Sequence, residues 1–254
     1  MVKVAVANQK GGVGKTTVVA SLAAALAQKG KRTLAVDLDP QMALTSWFFG
    51  EGIDRRTTVY EALFAPETLP ETVIATEEGF SLAVSSLNLA GAEFELLSLP
   101  DRHYRLAQAL RYSPSYEWVL IDCPPSLGLL TLNALVASDF VLIPVSCEFL
   151  ALRGLGLLLS TVKRVRKSLN TRLQILGILP TLYEGRTLHA REAVDVLSRR
   201  FGELVLLPVR KSVRFREAPV ARKSILVYDP RGRGAEGFLA LAEEVIRRAE
   251  ARIA

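Results

Sequence analysis

Residues 11–17 read Gly11-Gly12-Val13-Gly14-Lys15-Thr16-Thr17, and they lie between a β-branched run and a helix-length apolar segment. Glycines at such a junction allow successive backbone N–H groups to converge on phosphate oxygens, and the start of the helix adds a partial positive charge. We expect Lys15 to reach the β- and γ-phosphates, the Thr16 hydroxyl to bind Mg²⁺, and Thr17 to open the helix near the α-phosphate. A glycine turn that binds nothing does not require the Lys-Thr pair, so the stretch predicts a nucleotide phosphate loop.

Carboxylates are predicted at the ends of two strands, where a nucleotide-hydrolysing site needs them to hold the metal ion and the attacking water. The first group is Asp37-Leu38-Asp39-Pro40-Gln41, in which alternation points both aspartates to the same side and Pro40 stops the strand. The second is Asp122, which follows an apolar run. Asp122 is the candidate for holding Mg²⁺ through water, Asp39 for orienting the attacking water, and Asp37 for the outer shell of the metal. Each aspartate alone could instead cap a turn after a strand.

Short β-branched runs alternate with helix-length amphipathic segments along the chain, which is typical of a parallel sheet covered by helices. The predicted strands are Val2 to Ala7, Thr33 to Asp37, Ser81 to Val84, Trp118 to Asp122, Phe140 to Val145, Leu173 to Leu179 and Leu204 to Leu207. A helix is predicted over Ser21 to Gln28, and a last one over Ala235 to Ile253 is expected to pack through its apolar side. Phe48 to Glu78 has the least regular pattern. Because no repeat or linker-like tract divides the chain, residues 1–254 are expected to form a single domain.

The composition argues against several classes of protein. No apolar stretch reaches the length of a membrane span, and Met1 to Asn8 leads into the phosphate loop without the features of a signal peptide. Cys123 and Cys147 lack metal-ligand spacing, so neither a disulfide framework nor a zinc site is indicated, and a cytoplasmic location is expected. The formal net charge of +6 is modest evidence for a polyanionic partner.

Lys10 directly precedes the glycines, and Lys10 to Thr17 resembles the deviant Walker A motif of the family that contains ParA/Soj, MinD and the nitrogenase iron protein. The similarity to the ParA/Soj branch extends over nearly the whole chain. Its matching stretches are Ala7-Asn8-Gln9, Asp37 to Gln41, Ile121 to Gly128, Leu132-Asn133-Ala134, Ile143-Pro144-Val145, Val213-Arg214, Glu217-Ala218-Pro219, Tyr228-Asp229-Pro230 and Gly234-Ala235-Glu236. The resemblance implies an α/β fold with a doubly wound, mostly parallel sheet and helices on both faces, and ATP with Mg²⁺ as cofactors.

The resemblance also implies how the site works. The nucleotide would contact all of Lys10 to Thr17, and Lys10 would cross an ATP-dependent sandwich homodimer to touch the phosphates of the other subunit, as an arginine finger does. Lys10, Lys15 and Asp39 would carry a weak intrinsic ATPase activity. A ParB-like centromere-binding partner would stimulate hydrolysis and release the dimer from chromosomal or plasmid DNA. Lys10 could otherwise be an ordinary solvated lysine.

Basic residues in the last third of the chain are the candidates for DNA binding. The resemblance assigns this role first to Arg186 and Arg214, and the nearby Arg210, Lys211 and Arg216 add to the charge. The segment from Arg210 to Lys223 has Glu217 as its only acid. Such a segment predicts salt-sensitive, sequence-independent binding to the backbone of double-stranded DNA, and hence association with the nucleoid. A solvated basic surface is the alternative for each arginine.

Some positions depart from the ParA/Soj pattern. Residues 42–44 read Met-Ala-Leu where relatives usually have Gly-Asn-Ala, and Ser146 and Arg153 stand where Gln and Glu are common. Arg153 reverses a charge near the expected dimer face, and one alignment places Lys211 where an arginine is usual. These departures leave the phosphate chemistry untouched and fall instead at the expected dimer contacts and base contacts of the Lys211 loop.

Two other branches of the family match less well. A MinD-like membrane ATPase would need an amphipathic C-terminal anchor, whereas Ile246 to Ala254 has small residues, mixed charge and no aromatic residue, so no membrane is expected as a partner. A reductase like the nitrogenase iron protein would need cysteines for a shared iron–sulfur cluster. Cys123 and Cys147 lie in ParA/Soj-like motifs instead, and we expect them to be buried or loop thiols.

Overall fold

The computed structural model describes residues 1–50, 57–113, 115–147 and 151–253, with only the backbone of residues 151–153 and 253. The strands are β1 Val2–Val6, β2 Thr33–Asp37, β3 Val73–Ala75, β4 Ser81–Ala83, β5 Trp118–Asp122, β6 Phe140–Ser146 and β7 Gln174–Thr181. The helices are α1 Lys15–Gln28, α2 Ala43–Phe49, α3 Val59–Phe64, α4 Leu89–Leu96, α5 Arg105–Ala109, α6 Leu129–Ala137, α7 Ala151–Ser168, α8 Leu188–Phe201, α9 Arg214–Val220, α10 Ile225–Tyr228 and α11 Arg233–Ile253. Short 3-10 segments lie at Pro66–Thr72, Leu110–Tyr112 and Gly202–Leu204.

These strands form one sheet in the order β3-β4-β2-β5-β1-β6-β7. β3 pairs antiparallel with β4, and the other described pairs are parallel. The strands β2, β5 and β6 are buried along their whole length, because helices cover both faces of the sheet. Alternate strand residues therefore join two separate apolar clusters, one that includes α1 and α11 and one that includes α3 to α7. The predicted fold class is confirmed.

β1 lies in the interior of the sheet, between β5 and β6. Parallel pairing brings the last residues of β1, β2 and β5 to one edge, here called the carboxyl edge, where Val6 and Asp37 are both in register with Asp122. The chain leaves β1 toward β2 on one side and later crosses to β6 on the other. Such a switch in direction opens a crevice at the carboxyl ends of the strands, which is where ligands bind in open α/β sheets.

The first and last helices pack together on one face of the sheet. α1 begins at Lys15, immediately after the glycine loop and six residues before the predicted start at Ser21. α11 buries Phe238, Ala242 and Val245 in the same apolar cluster as α1, so the prediction that the last helix packs through its apolar side is confirmed. No helix among the described residues has the length and apolar character needed to cross a membrane.

Two predictions of secondary structure were inaccurate. Leu204 to Leu207 is not a strand, because Leu204 ends a 3-10 turn and only an isolated parallel bridge joins Val205 to Ile178. Pro208 follows at once and has no N–H for a ladder hydrogen bond. Phe48 to Glu78 is more regular than predicted, although its residues 51–56 lie outside the described range. It contains α3, which starts with a capping box between Thr58 and Glu61, and the antiparallel strand β3.

Candidate nucleotide site

Glycine conformations shape the loop after β1. Gly12 and Gly14 have φ angles of 72° and 87°, in the left-handed region that L side chains adopt only at a cost. An added Cβ would meet nothing within 4 Å at either position, so the backbone conformation, and not a lack of space, requires glycine. Gly14 is the N-cap of α1, and no described side chain caps this helix. The first N–H groups of α1 are therefore available to an anion.

Two buried side chains fix the loop to neighbouring strands. The Thr181 hydroxyl, at the end of β7, donates a hydrogen bond of 2.7 Å to the carbonyl oxygen of Val13. The Asn8 amide donates to the Pro144 carbonyl at 2.6 Å, and its oxygen accepts from the Lys10 N–H at 3.0 Å. The loop is thus held at its start and at its middle. The sequence patterns assigned no role to Asn8 and did not indicate Thr181, because no local pattern reveals a contact across 168 positions.

Asp37, the last residue of β2, and Asp39 lie together at the end of this strand, as predicted from their alternation. One Asp37 oxygen accepts from the Asp39 N–H at 3.2 Å, and the other accepts from the Thr45 N–H and hydroxyl at 2.8 and 2.7 Å. Burial raises the pKa of Asp37 to about 6, against the lowering effect of the Thr45 hydrogen bonds. The Asp39 carboxylate accepts from the Gln41 N–H at 2.9 Å, and Asp39 lines the cleft described below. Asp37 therefore organises this segment, and Asp39 presents a carboxylate to the cleft.

Asp122 is fully buried, and neither of its carboxylate oxygens has a hydrogen-bond partner among the described residues. Burial and the neighbouring charge of Asp37 raise its pKa well above the ordinary value. Thr16 and the Lys15 ammonium oppose this, although Thr16 lies outside hydrogen-bonding geometry. A buried carboxylate without partners, beside a threonine hydroxyl at the start of a phosphate loop, fits a hard cation. The residues present therefore fit Mg²⁺.

The described residues contain no group of three or more His, Cys, Asp or Glu side chains arranged to hold a metal ion by themselves. This agrees with the chemistry expected of Mg²⁺. Proteins usually bind it through one or two side-chain oxygens together with water and substrate phosphates. The Thr16 hydroxyl and Asp122 supply such a partial set.

The phosphate loop opens into a cleft with a volume of about 1170 Å³. Lys15 is almost completely buried at its floor, and Asp39 lines the same space. The opposite wall comes from the segment after β7 and from the start of α9, and it includes Leu182, Val213 and Phe215. The volume suits a ligand larger than a phosphate ion. Sequence reasoning did not predict this wall, because its residues carry no phosphate-binding signature.

Lys10 is half-exposed and is not among the residues that line the cleft of its own chain. Its backbone N–H is fixed by Asn8, so its side chain starts from a defined position beside the loop. Gly11, the next residue, does line the cleft. The structure thus separates Lys10 from Lys15, which lies inside.

The predicted DNA-binding residues do not share one environment. Lys211 and Arg216 line the nucleotide cleft, and Lys211 also forms an ion pair with Glu184. Arg214 forms an ion pair of 2.8 Å with Glu217, whose carboxylate also accepts from the Tyr228 hydroxyl.

Arg186 and Arg210 are exposed, and neither side chain has a hydrogen-bond or ion-pair partner among the described residues. Backbone hydrogen bonds join the two loops that carry them, from the Tyr183 N–H to Val209 and from the Lys211 N–H to Tyr183. The basic loops are therefore attached to the wall of the nucleotide cleft.

The cysteines and Ser146, one of the departures from the ParA/Soj pattern, are buried. Cys123 and Cys147 are buried, and burial raises the pKa of both thiols, that of Cys147 to about 11. Both are therefore buried thiols, as predicted, and their raised pKa values keep them neutral. Ser146 ends β6 with its hydroxyl buried and without a hydrogen-bond partner in the described part of the chain. The Arg153 side chain lies outside the described residues.

Comparison with known proteins places this site in a family. A family model described as an AAA domain matches residues 1–175. The sporulation initiation inhibitor protein Soj of Bacillus subtilis is 46% identical over 245 residues, which cover 95% of this chain and 97% of that protein. The chain belongs to the ParA/Soj family of partitioning ATPases. A ParA/Soj relative from Thermus thermophilus, the chromosome-partitioning ATPase Soj, is also 46% identical, over 98% of this chain and 96% of its own length.

Solved structures agree with the ParA/Soj assignment of the fold. A Mycobacterium smegmatis protein described as cobyrinic acid a,c-diamide synthase, with a bound ATP analogue and magnesium, has a TM-score of 0.87 and 38% sequence identity. The match covers 99% of this chain and 97% of that one. The prediction that the cofactors are ATP and Mg²⁺ is confirmed at the level of such relatives.

Proposed function

We propose that this chain is an ATP-driven DNA-partitioning switch. ATP joins two copies into a sandwich homodimer, the dimer binds double-stranded DNA non-specifically, and hydrolysis stimulated by a ParB-like partner releases it. The protein acts as one domain in the cytoplasm, on the nucleoid, and segregates chromosomal or plasmid DNA. One observation carries the proposal: a half-exposed Lys10 stands directly before a phosphate loop whose own cleft it does not line.

The cleft binds ATP with Mg²⁺ through groups of different kinds. The backbone N–H groups at the start of α1 and the Lys15 ammonium bind the phosphates. Thr16 and Asp122 would hold Mg²⁺, which neutralises charge on the β- and γ-phosphates when bound. Leu182, Val213 and Phe215 offer an apolar surface to the base.

Asp39 orients the water that attacks the terminal phosphate. Its position is fixed on three sides, since its N–H donates to Asp37, its carboxylate accepts from Gln41, and its carbonyl accepts from the Ser85 hydroxyl at 2.8 Å. Because this carboxylate is already held in place, it accepts a hydrogen bond from water without losing further conformational freedom. If only a second copy supplies the remaining positive charge that neutralises the phosphates, hydrolysis by a single copy is weak.

Lys10 supplies that missing charge in trans. Because it stands outside its own cleft, its ammonium can point across a face-to-face dimer toward the phosphates of the facing copy. A cation delivered between subunits stabilises the charge of phosphoryl transfer as an arginine finger does. Nucleotide binding and pairing of copies are then linked, since each bound triphosphate favours the other subunit.

DNA binding is assigned to Arg186 and Arg214, with Arg210, Lys211 and Arg216 around them. The ion pairs of Lys211 and Arg214 are exposed and screened by solvent, so DNA phosphates can replace Glu184 and Glu217 as partners. The basic loops adjoin the nucleotide cleft. Occupancy of the cleft can therefore influence what these loops bind.

Two rival functions are less well supported. A MinD-like membrane role would use the C-terminal helix as an anchor, whereas α11 buries its apolar residues against the rest of the protein. The second rival is an amide-forming reaction, which would need an activated thiolate if it used a cysteine nucleophile. Both cysteines are buried, with raised pKa values.

The dimer is tested by light scattering after size exclusion, with a non-hydrolysable ATP analogue and Mg²⁺. We expect the native chain to be a dimer with the analogue and a monomer without it. Lys10→Ala should bind nucleotide but remain a monomer, Lys15→Ala should lose nucleotide, and Lys31→Ala is the matched control. If Lys10→Ala dimerises as the native chain does, the trans role of Lys10 is wrong.

Gel-shift assays on a plain duplex with ATP, ADP or no nucleotide test the DNA step. Retardation of the duplex is expected with ATP but not with ADP or without nucleotide. Asp39→Ala should keep the protein in the DNA-bound ATP state. Arg186→Glu combined with Arg214→Glu should abolish the shift and leave dimerisation intact. Retained DNA binding by this double variant would place the interface elsewhere.

A further inference from the structure

A second basic region lies far from the nucleotide cleft. The sequence contains no Asp or Glu from residue 149 to residue 183. The same span carries basic residues at the end of α7 and before β7, namely Lys163, Arg164, Arg166, Lys167 and Arg172. These five residues are exposed. An acid-free basic stretch of this kind produces a local positive potential even in a chain with many acids elsewhere.

Three arginines from separate elements meet at this region. Arg166 from α7, Arg172 from the loop before β7 and Arg252 from α11 line one cavity of about 640 Å³. The first residues of β6 and β7, Phe140 and Gln174, also line the cavity. It therefore lies at the edge where the parallel strands begin, here called the amino edge. The eight residues of β7 separate the amino edge from the carboxyl edge by about 26 Å.

No acid among the described residues forms an ion pair with any of these three arginines. Asp139, the acid that lines the cavity, accepts from the Lys3 N–H at 2.8 Å and lies 3.7 Å from the Lys3 ammonium. Arg252 is half-buried and donates to the Ile175 carbonyl at 2.6 Å. Burial and the nearby positive charge of Arg248 lower the pKa of Arg252.

Within the described residues, Arg166, Arg172 and Arg252 have no carboxylate partner. Lys211 and Arg214, by contrast, each have one. Basic residues at the end of α7 are also stabilised by the dipole of this helix, but that effect does not explain why Arg172 and Arg252 face the same cavity. Guanidinium ions that line a cavity whose acid, Asp139, is already paired with Lys3 form a site for an anion with several oxygen acceptors.

We propose that Arg166, Arg172 and Arg252, with the adjoining Lys163 and Lys167 of α7, form a second surface that binds the phosphate backbone of DNA. We call it the amino-edge surface. Residues 163, 166 and 167 are spaced by three and four, so they share one side of the helix and continue the positive charge beyond the cavity. A single phosphate would occupy part of the cavity and leave the helix uncontacted, whereas a polymer with a charge about every 1.7 Å can contact the helix as well.

This inference rests on the proposed function, because DNA is the polyanion in both. It adds a surface at the opposite edge of the sheet from Arg186 and Arg214. One dimer could then hold DNA at more than one place.

The test measures the affinity for a short labelled duplex by fluorescence anisotropy at several salt concentrations, with a non-hydrolysable ATP analogue and Mg²⁺. The variant is Arg166→Gln with Arg172→Gln, which keeps Arg252 and its hydrogen bond to Ile175. Each lost phosphate contact lowers the slope of log affinity against log salt by about 0.9, so we expect a decrease of about 1.8 per chain and weaker binding at every salt concentration. The control, Arg102→Gln with Arg111→Gln, removes the same charge and should keep the native slope.

The outcomes separate this inference from the function on which it rests. If the native chain binds the duplex and the Arg166/Arg172 variant binds with the same affinity and slope, the amino-edge surface is wrong and the proposed function stands. If the native chain does not bind duplex with the analogue, both proposals fail. Titration with inorganic phosphate at constant ionic strength identifies the source of the anion. A variant that loses phosphate binding but keeps native DNA binding overturns the assignment to DNA.

Discussion

Replacing Thr181 with Val should destabilise the conformation of the phosphate loop without removing any group that contacts nucleotide. Val keeps the shape of Thr but removes the hydroxyl that donates to Val13 at 2.7 Å in a buried setting. A buried carbonyl left without its donor costs about 1–3 kcal/mol. If the loop keeps its shape, this cost lowers the free energy of unfolding, which corresponds to a Tm lower by about 2–12 °C for a chain of this size.

If the free loop relaxes instead, the same cost appears when ATP restores its shape. At about 1.4 kcal/mol for each factor of ten, the Kd for ATP would rise about 5- to 150-fold. Thermal melts with and without nucleotide, together with calorimetric titration of ATP, measure both parts. Thr181→Ser restores the hydroxyl and should recover most of the loss. Native stability and native ATP affinity in Thr181→Val would refute the idea that this hydrogen bond positions the loop.

Three further substitutions test the site. Gly14→Ala should abolish ATP binding, measured by titration, and lower stability by about 1–2 kcal/mol, because alanine must adopt a φ of 87°; normal affinity would mean that the loop tolerates another conformation. The pKa of Asp37 is raised to about 6, so the folded state holds its proton more tightly and stability should fall by about 3 kcal/mol as the pH rises from about 4 to above 6. Denaturant unfolding in EDTA should show a smaller fall in Asp37→Asn than in the native chain, because the raised pKa of Asp122 contributes in both, and parallel profiles would contradict the assignment. Asp122→Asn should raise the Tm in EDTA, since it removes a buried charge without partners, and should also remove the dependence of ATP affinity on Mg²⁺; an unchanged Mg²⁺ requirement would move the metal away from Asp122.

The sequence predicted the parts of the site that depend on local patterns. Glycines with a Lys-Thr pair between a strand and a helix indicate a phosphate loop, and the structure supplies left-handed angles at Gly12 and Gly14. Aspartates at the ends of parallel strands were expected at one edge, and Asp37 and Asp122 are in register there. In both cases a few adjacent residues contain the whole signal.

The features that were missed depend on distant parts of the chain. Thr181 contacts Val13 across 168 positions. The lack of acids around Arg172 is visible in the sequence, but its position beside Arg252 requires the fold. The capping box at Thr58 was different, since its Thr-x-x-Glu spacing is a local signature that could have predicted α3.

The margins of the sheet limit how copies of this protein can associate. At one margin, β3 is a three-residue antiparallel strand. At the other, Leu206 and Val209 already donate hydrogen bonds to the outer side of β7, and Pro208 between them has no N–H to offer. Within the part of the chain that the structure describes, neither margin presents a long row of open backbone groups, which disfavours the joining of two molecules into one continuous sheet. In the proposed dimer, contacts are left to loops and side chains, which can separate again once the nucleotide is hydrolysed.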